Sequence, residues 1–337
     1  MGKFSLGGGN YLIFMRDKIQ LAHSFEEIIS LENLLLAWQE FIRGKRSKKD
    51  VQEFEFRLMD NLTLLYCDLA SGNYQHGGYE AFNICDPKPR NIHKASVKDR
   101  LVHHAIYRVL CPFFDRVFIT DSFSCRLGKG THKALNRFRS FTCKVSKNNI
   151  KTCWILKGDI KKFFATIDHQ VLKKILTRYI SDEKILGLLN KIIGSFYSTK
   201  PGVGLPLGNL TSQLLVNIYL NEFDQFIKHK LKAKYYIRYA DDFVILSADK
   251  IWLKNQIRPI EKFLMEKLKL EIHPEKIFVK TLNSGFDLLG WVHFFNRRVL
   301  RTKTKRRMFR RIKGNNKPES LQSYLGLLKH GNTFKLR

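Results

Sequence analysis

Three carboxylates stand where apolar strands end, in a chain that is otherwise strongly basic. Asp241 and Asp242 occupy the turn of YYIRYADDFVILS, and Asp159 closes WILKGDI, 82 residues upstream. Asp is a favoured turn residue, so the pair alone specifies no chemistry. The flanking runs, however, are apolar on both faces, and the turn must then project from a buried sheet. Two carboxylates there, joined by a third from an adjacent strand, repel one another unless a cation binds. Hard divalent ions with oxygen ligands suit such a cluster, and Mg²⁺ in particular keeps waters and takes phosphate oxygens. Two ions about 3.5–4 Å apart can activate a 3′-hydroxyl and stabilise a leaving pyrophosphate in an in-line displacement.

The rest of the chain must hold this cluster and bring a polyanion to it. Of 337 residues, 60 are Lys or Arg and 30 Asp or Glu, a net charge of +30. Such a surplus strains a compact fold by self-repulsion, and nucleic acid is the partner that best offsets it. A hydrophobic fraction of 44% with 26 Phe excludes a disordered chain. The length suggests two or three subdomains around a sizeable core. Apolar runs of about five or six residues exclude a transmembrane helix, so no membrane role is expected. The six cysteines form no C-x-x-C pair, which points to reduced thiols and a cytoplasmic location. The N-terminus lacks a signal peptide, Leu6 argues against myristoylation, and Gly7-Gly8-Gly9 reads as a flexible leader.

Periodicity supplies the elements. Helices are expected at 24–45, capped by Ser24, at 51–70 and at 97–118, with a strand pair over 78–95 around the turn Asp86-Pro87-Lys88-Pro89-Arg90. A short strand runs from Cys153 to Ile160, followed by helices at about 168–180, capped by Asp168, and 182–197. The glycine-rich loop Pro201–Gly208 opens a long helix from Ser212, its expected N-cap, to about Leu231, with Leu214, Leu215, Ile218 and Tyr219 as core. Strands at Tyr235–Tyr239 and Phe243–Ser247, a helix at about 252–269, a strand near Lys276–Lys280 and a hairpin around Phe286–Val292 complete the pattern. Residues 297–317 hold 11 Lys or Arg and no acid. His103, His104 and His132 have no metal-ligand spacing and read as structural.

YADD between apolar strands, with DIKKFFATIDH upstream, resembles the palm of a reverse transcriptase. DPKPRNIHKASVKDRLVHHAI resembles the fingers segment, FITDSFSCRLGKGTHKA the following block and FDLLGW the primer grip, so the likeness spans about residues 50–300. It implies an α+β right-hand polymerase. The expected divisions are an N-terminal extension (1–50), fingers (51–150), palm (151–170), connecting helices (171–200), a second palm part (201–295) and a short basic helical thumb (296–337). The palm should be a split βαβ antiparallel sheet backed by helices. Where most reverse transcriptases carry P-Q-G and then S-P, this chain reads GLPLGNLTSQ, with Leu207 for the Gln and Gln213 for the Pro. That string resembles the reverse transcriptases of diversity-generating retroelements. Those enzymes copy a template-repeat RNA into cDNA with errors at adenines, for mutagenic retrohoming into a variable region of a target gene.

The resemblance assigns roles. Asp159, Asp241 and Asp242 are the expected catalytic metal ligands for two Mg²⁺ ions, with the Ile160 carbonyl as a further ligand. Phe164 stands where the family keeps the steric gate against a ribose 2′-OH. Lys88 and Arg90 match the fingers residues that hold the deoxynucleoside triphosphate. Lys276, in HPEKIF, matches the Lys that approaches the pyrophosphate. Leu207 cannot give the hydrogen bond that a Gln can, and loss of a contact made only by a correctly seated pair relaxes selectivity. In the thumb, Arg297, Arg298, Lys303, Lys305, Arg306, Arg307, Arg310 and Arg311 are expected on template RNA and cDNA phosphates. Only 46 residues follow Trp291, room for about two helices where the family usually has three. A small, basic, helical, oligomeric accessory protein is the expected partner. The alternatives at this point are a retron or defence-associated reverse transcriptase using a structured non-coding RNA, a nucleotide cyclase (whose glycine-glycine-acid signature is absent) and a non-catalytic RNA-binding protein.

Overall fold

Capping chemistry sets the helix starts in the computed structural model, which describes residues 19–85, 88–314 and 318–336. The Gly7-Gly8-Gly9 leader, Asp86-Pro87 and Lys317 lie outside the described residues. Ser24 caps α1 (Phe25–Ile29) in a capping box with Glu27. Ser30 then caps α2 (Leu31–Phe41), so the expected single helix over 24–45 is two. The next expected helix is likewise two, α3 (Lys49–Phe56) and α4 (Leu58–Ala70), because Arg57 leaves helical geometry at φ −120°. Strands β1 (Tyr79–Ile84) and β2 (Arg90–Ala95) form an antiparallel hairpin. Helix α5 (Val97–Val117) is capped by Ser96. Helix α6 (Thr131–Ser146) has no counterpart among the expected elements.

The central sheet begins with β3 (Trp154–Asp159). After it come α7 (Phe163–Thr166), α8 (His169–Leu176), capped by Asp168 as expected, and α9 (Glu183–Gly194), capped by Asp182. Helix α10 (Leu210–Gln225) starts after Asn209, not at Ser212, and continues into a π-helical turn, Phe226–Lys230. Ser212 is instead buried within its first turn. Strands β4 (Tyr235–Tyr239) and β5 (Asp242–Ser247), helix α11 (Lys250–Leu268) and β6 (Phe278–Thr281) follow. Lys276 lies in a 3₁₀ turn just before β6 rather than in the strand. Short strands β7 (Phe286–Leu288), β8 (Trp291–His293) and β9 (Arg298–Leu300) form a second antiparallel sheet. Helices α12 (Thr302–Gly314) and α13 (Pro318–Leu328) follow, and then a 3₁₀ turn, Phe334–Leu336.

The four-stranded sheet is antiparallel throughout, in the order β4-β5-β3-β6. Its two faces alternate into two cores. Leu156, Tyr236, Phe243 and Ile245 pack with α10 and α11 in the main core. Ile155, Ile237, Val244 and Leu246 pack with Phe138 and Phe141 of α6 and with Phe286 and Leu288. Both faces are covered, and the end where β3 stops and β4 turns into β5 stays partly open, with Asp159, Tyr239, Asp241 and Asp242 half-buried. All six cysteines are unpaired thiols. No helix among the described residues is long and apolar enough to cross a membrane.

Candidate active site at the open end of the sheet

Strand register brings the three carboxylates together. Asp159, last in β3, pairs with Asp242, first in β5, and Asp242 also pairs with Tyr239 of β4. Directly opposed residues share a face at about 4.5–5.5 Å, so Asp159, Asp242 and Tyr239 form a row. Ala240 and Asp241 make the two-residue turn above it. Ala240 sits at φ +53°, the left-handed region that a side chain enters at a cost of about 1–2 kcal/mol. The Ile160 amide donates to the Asp241 carbonyl at 3.2 Å and ties the turn to the end of β3. On the other side, the His273 amide donates to the Asp159 carbonyl at 2.8 Å. Gly158 makes the close packing possible, because a Cβ there would lie 2.2 Å from the ring of Phe243, its cross-strand neighbour.

Two lysines face the carboxylates. Lys276 Nζ donates to Asp159 Oδ1 at 2.9 Å, and Lys157 Nζ lies 3.6 Å from Asp242 Oδ1. Burial pushes the Asp241 carboxyl up to about 6, helped by the charges of Asp242 and Asp159 and opposed by Lys276. Burial also raises Asp242, Lys157 pulls it back and Asp159 pushes it further up. Among the described residues no three Asp, Glu, His or Cys side chains converge as a ligand set, and lysines hold two of the carboxylates. The donor chemistry nevertheless fits a hard divalent cation: crowded oxygens of like charge, each already drawing on positive charge. Asp159, Asp241 and Asp242 would hold such a cation, in competition with Lys276 and Lys157.

The opposite face of the sheet carries a feature that the sequence reading missed. Arg238 of β4 is 1% exposed and Asp224 of α10 0%, and they pair through two hydrogen bonds, Nε to Oδ1 at 2.8 Å and Nη2 to Oδ2 at 2.7 Å. Tyr236 donates its hydroxyl to Asp224 Oδ1 at 2.7 Å. The remaining guanidinium nitrogen, Nη1, donates to Asn217 Oδ1 and to the Ala240 carbonyl, each at 3.2 Å. The strained turn is thus held from beneath by a buried charge. A charged residue one position before YADD, on the core-facing side of an apolar strand, was the signal for it.

The remaining expected site residues fall into two groups. One surrounds the glycine-rich loop. Phe164 is half-buried, its carbonyl accepting the Leu205 amide at 2.8 Å, whereas its neighbour Phe163 is core. Leu207 is half-buried, and its carbonyl accepts the His93 amide of β2 at 2.8 Å. Gly208, at φ +113°, lets the loop press on that strand, since a Cβ there would meet Ile92 at 2.8 Å. This stitching sets Leu207 beside the strand that begins at Arg90. Arg90 and Lys88 are exposed at the hairpin tip, and Gln213 is half-buried in the first turn of α10. The second group is at the C-terminus. Lys303, Lys305, Arg306, Arg310 and Arg311 are exposed on α12, Arg307 is partly buried there and Arg297 is exposed before β9. Arg298, expected on nucleic-acid phosphates, is half-buried and bonds the His330 carbonyl through its guanidinium.

A family model described as reverse transcriptase (RNA-dependent DNA polymerase) matches residues 86–293, which include all three carboxylates. The chain is 28% identical over 282 residues to protein YkfC of Escherichia coli, covering 69% of this chain and 71% of YkfC. It is 26% identical over 274 residues to the group II intron-encoded protein LtrA of Lactococcus lactis, covering 60% of this chain and 44% of LtrA. Telomerase from Candida albicans, in complex with a fragment of telomeric RNA, superposes with a TM-score of 0.52 at 12% identity, over 70% of this chain and 48% of that one. Apo telomerase from Candida tropicalis gives 0.51 at 14% identity, over 68% and 55%. The chain thus spans about half of each telomerase chain. The likeness to the telomerases is one of fold, a right-hand polymerase of mixed helix and antiparallel sheet.

Proposed function

We propose that this chain, which belongs to the reverse transcriptase (RNA-dependent DNA polymerase) family, extends a DNA primer on a template-repeat RNA and does so inaccurately, producing adenine-mutagenised cDNA for mutagenic retrohoming. The observation that carries the polymerase reading is the register that sets Asp159 opposite Asp242 with Asp241 in the adjoining turn. In the reaction the primer 3′-oxygen gives up its proton to solvent and bonds the α-phosphorus of the incoming nucleotide as the bond to pyrophosphate breaks. Two Mg²⁺ ions held by Asp159, Asp241, Asp242 and the Ile160 carbonyl would supply Lewis acidity to the attacking hydroxyl and to the leaving pyrophosphate. Lys88 and Arg90 hold the triphosphate. Lys276, already hydrogen-bonded to Asp159, donates a proton toward the pyrophosphate. The Phe164 ring excludes a 2′-OH. The cations of α12 grip the duplex backbone, and a small basic helical accessory protein is the partner. The enzyme works in the cytoplasm.

Leu207 carries the low-fidelity part of the reading. It lies against β2 with an apolar side chain where a Gln could hydrogen-bond a seated nucleotide, and the surrounding GLPLGNLTSQ string supports the retroelement assignment. The test is misincorporation opposite each template base. Wild type should err most opposite adenine, and Leu207→Gln should lower that error by about tenfold, the effect of one discriminating hydrogen bond. Equal, low error opposite all four bases would remove the retroelement reading and leave the polymerase. A second reading, service to a structured RNA such as a group II intron, is favoured by the similarity to LtrA. Selective binding of one folded intron RNA, without adenine errors, would establish it.

A further inference from the structure

Away from the carboxylates, a cavity of about 260 Å³ lies between α6, the β8–β9 turn and the segment after α13. Leu282, on its wall, donates its amide to the Cys153 carbonyl just before β3. Asp159 lies six residues along that strand, so a rise of about 3.3 Å per residue puts the cavity roughly 20 Å from the catalytic end.

The lining carries four cations, Arg139, Arg297, Arg298 and Lys329, with His293 and His330 beside them and no Asp or Glu. The crowding leaves its mark on their protonation. Burial and then Arg139 hold Arg298 below the usual guanidinium value, and burial and then Arg298 push His293 down to about 4. Arg298 finds only neutral acceptors. It bonds the His330 carbonyl through Nε and Asn136 Oδ1 through Nη2 at 3.4 Å, and its backbone amide bonds Asn332 Oδ1 at 3.1 Å. Arg298 Nη1 and His293 Nε2 have no hydrogen-bond partner, although His293 is only 4% exposed. Buried polar groups are normally paired, and an unpaired one on a charged side chain is costly. An anion seated here would satisfy both groups.

We propose that this cavity is a phosphate-binding site, in which Arg298 and His293 form the floor and Arg139, Arg297 and Lys329 the rim. A tetrahedral oxyanion presents several strong acceptors and suits arginine forks. The same chemistry can come from free phosphate or from a phosphodiester of a bound strand, and the test separates the two. In full-length protein labelled with ¹⁵N-histidine, the His293 ring resonances are followed as inorganic phosphate is added against chloride at matched ionic strength. They are then followed with a short RNA–DNA duplex in phosphate-free buffer. The comparison variant is Arg139→Ser with Arg297→Ser, both exposed in wild type, so that the fold survives.

Movement of His293 by millimolar phosphate, weakened about tenfold in the double variant as two charge-assisted contacts are lost, supports a free-phosphate site. Movement by the duplex alone, with the salt slope of binding falling by about one or two in the variant, supports a backbone-phosphate site. A His293 signal that neither probe moves, or that moves equally in the variant, overturns the proposal.

Discussion

Arg238 and Asp224 meet as a bidentate ion pair with no solvent on either side, and the one guanidinium nitrogen left over donates to the Ala240 carbonyl. Removing one partner leaves a buried charge uncompensated, at about 3–5 kcal/mol. Arg238→Met and Asp224→Leu should each cost that much in equilibrium denaturation. The double variant should recover most of it, because two apolar side chains can fill the same space. Nucleotide insertion should stay low in the double variant, since the Asp241 turn has lost its donor. A double variant that regains full activity would show that the pair only fills the core.

The protonation of Asp241 makes the metal-free protein sensitive to pH in an unusual direction. Its folded-state value of about 6 lies above the ordinary carboxylate range. The native state therefore holds this proton where the unfolded chain, near 4, has lost it. The stability contributed by this group is full below about pH 4 and is lost as pH rises through about 6. Denaturation of wild type and Asp241→Asn in chelator, from pH 4 to 7, should show the variant gaining relative to wild type as pH rises. Parallel curves would contradict the assignment.

Gly158 has no room for a methyl group. Gly158→Ala forces the Cβ against the Phe243 ring, which is itself buried against Phe223. Overpacking of this kind costs about 1–3 kcal/mol. It should also shift the end of β3 and so lower insertion. Adding Phe243→Leu should restore part of the stability, as measured by melting temperature. No rescue would mean that the glycine serves another purpose.

Adjacent phenylalanines should behave differently. Phe163 is 3% exposed in the main core, and Phe163→Ala should cost about 3–5 kcal/mol. Phe164 only packs against that core from outside. Phe164→Val should leave the melting temperature nearly unchanged and raise ribonucleotide incorporation by about tenfold or more. Unchanged sugar selection in Phe164→Val would reject the gate.

The carboxylate site was legible in the sequence because two local signals coincide there, strands apolar on both faces and a turn between them. Ser24, Asp168 and the basic tail were legible for the same reason, as local rules of capping and charge. What escaped notice depends on pairing over distance. Arg238 and Asp224 are 14 residues apart on a strand and a helix, and neither element alone announces the other. Helix α6 was hidden by its basic, glycine-flanked start, RLGKGTHKALNRF, although Ala134, Leu135 and Phe138 are fully buried on one face. The breaks at Ser30 and Arg57 were invisible because apolar periodicity runs on through them. At the glycine-rich loop, Asn209 rather than Ser212 begins the helix because the loop is anchored first, through Leu207 and Asn209, to His93 of β2.

The proposed joint action of Asp159, Asp241 and Asp242 in adding deoxynucleotides to a primer on RNA is tested by single-nucleotide insertion on a DNA primer annealed to RNA, with Mg²⁺, comparing wild type with Asp159→Asn, Asp241→Asn and Asp242→Asn. Melting curves of the same preparations confirm folding. Wild type should insert the complementary deoxynucleotide, and each variant should lose about a thousandfold or more in rate while remaining folded. Insertion at the wild-type rate by any folded variant would remove that carboxylate from the chemistry.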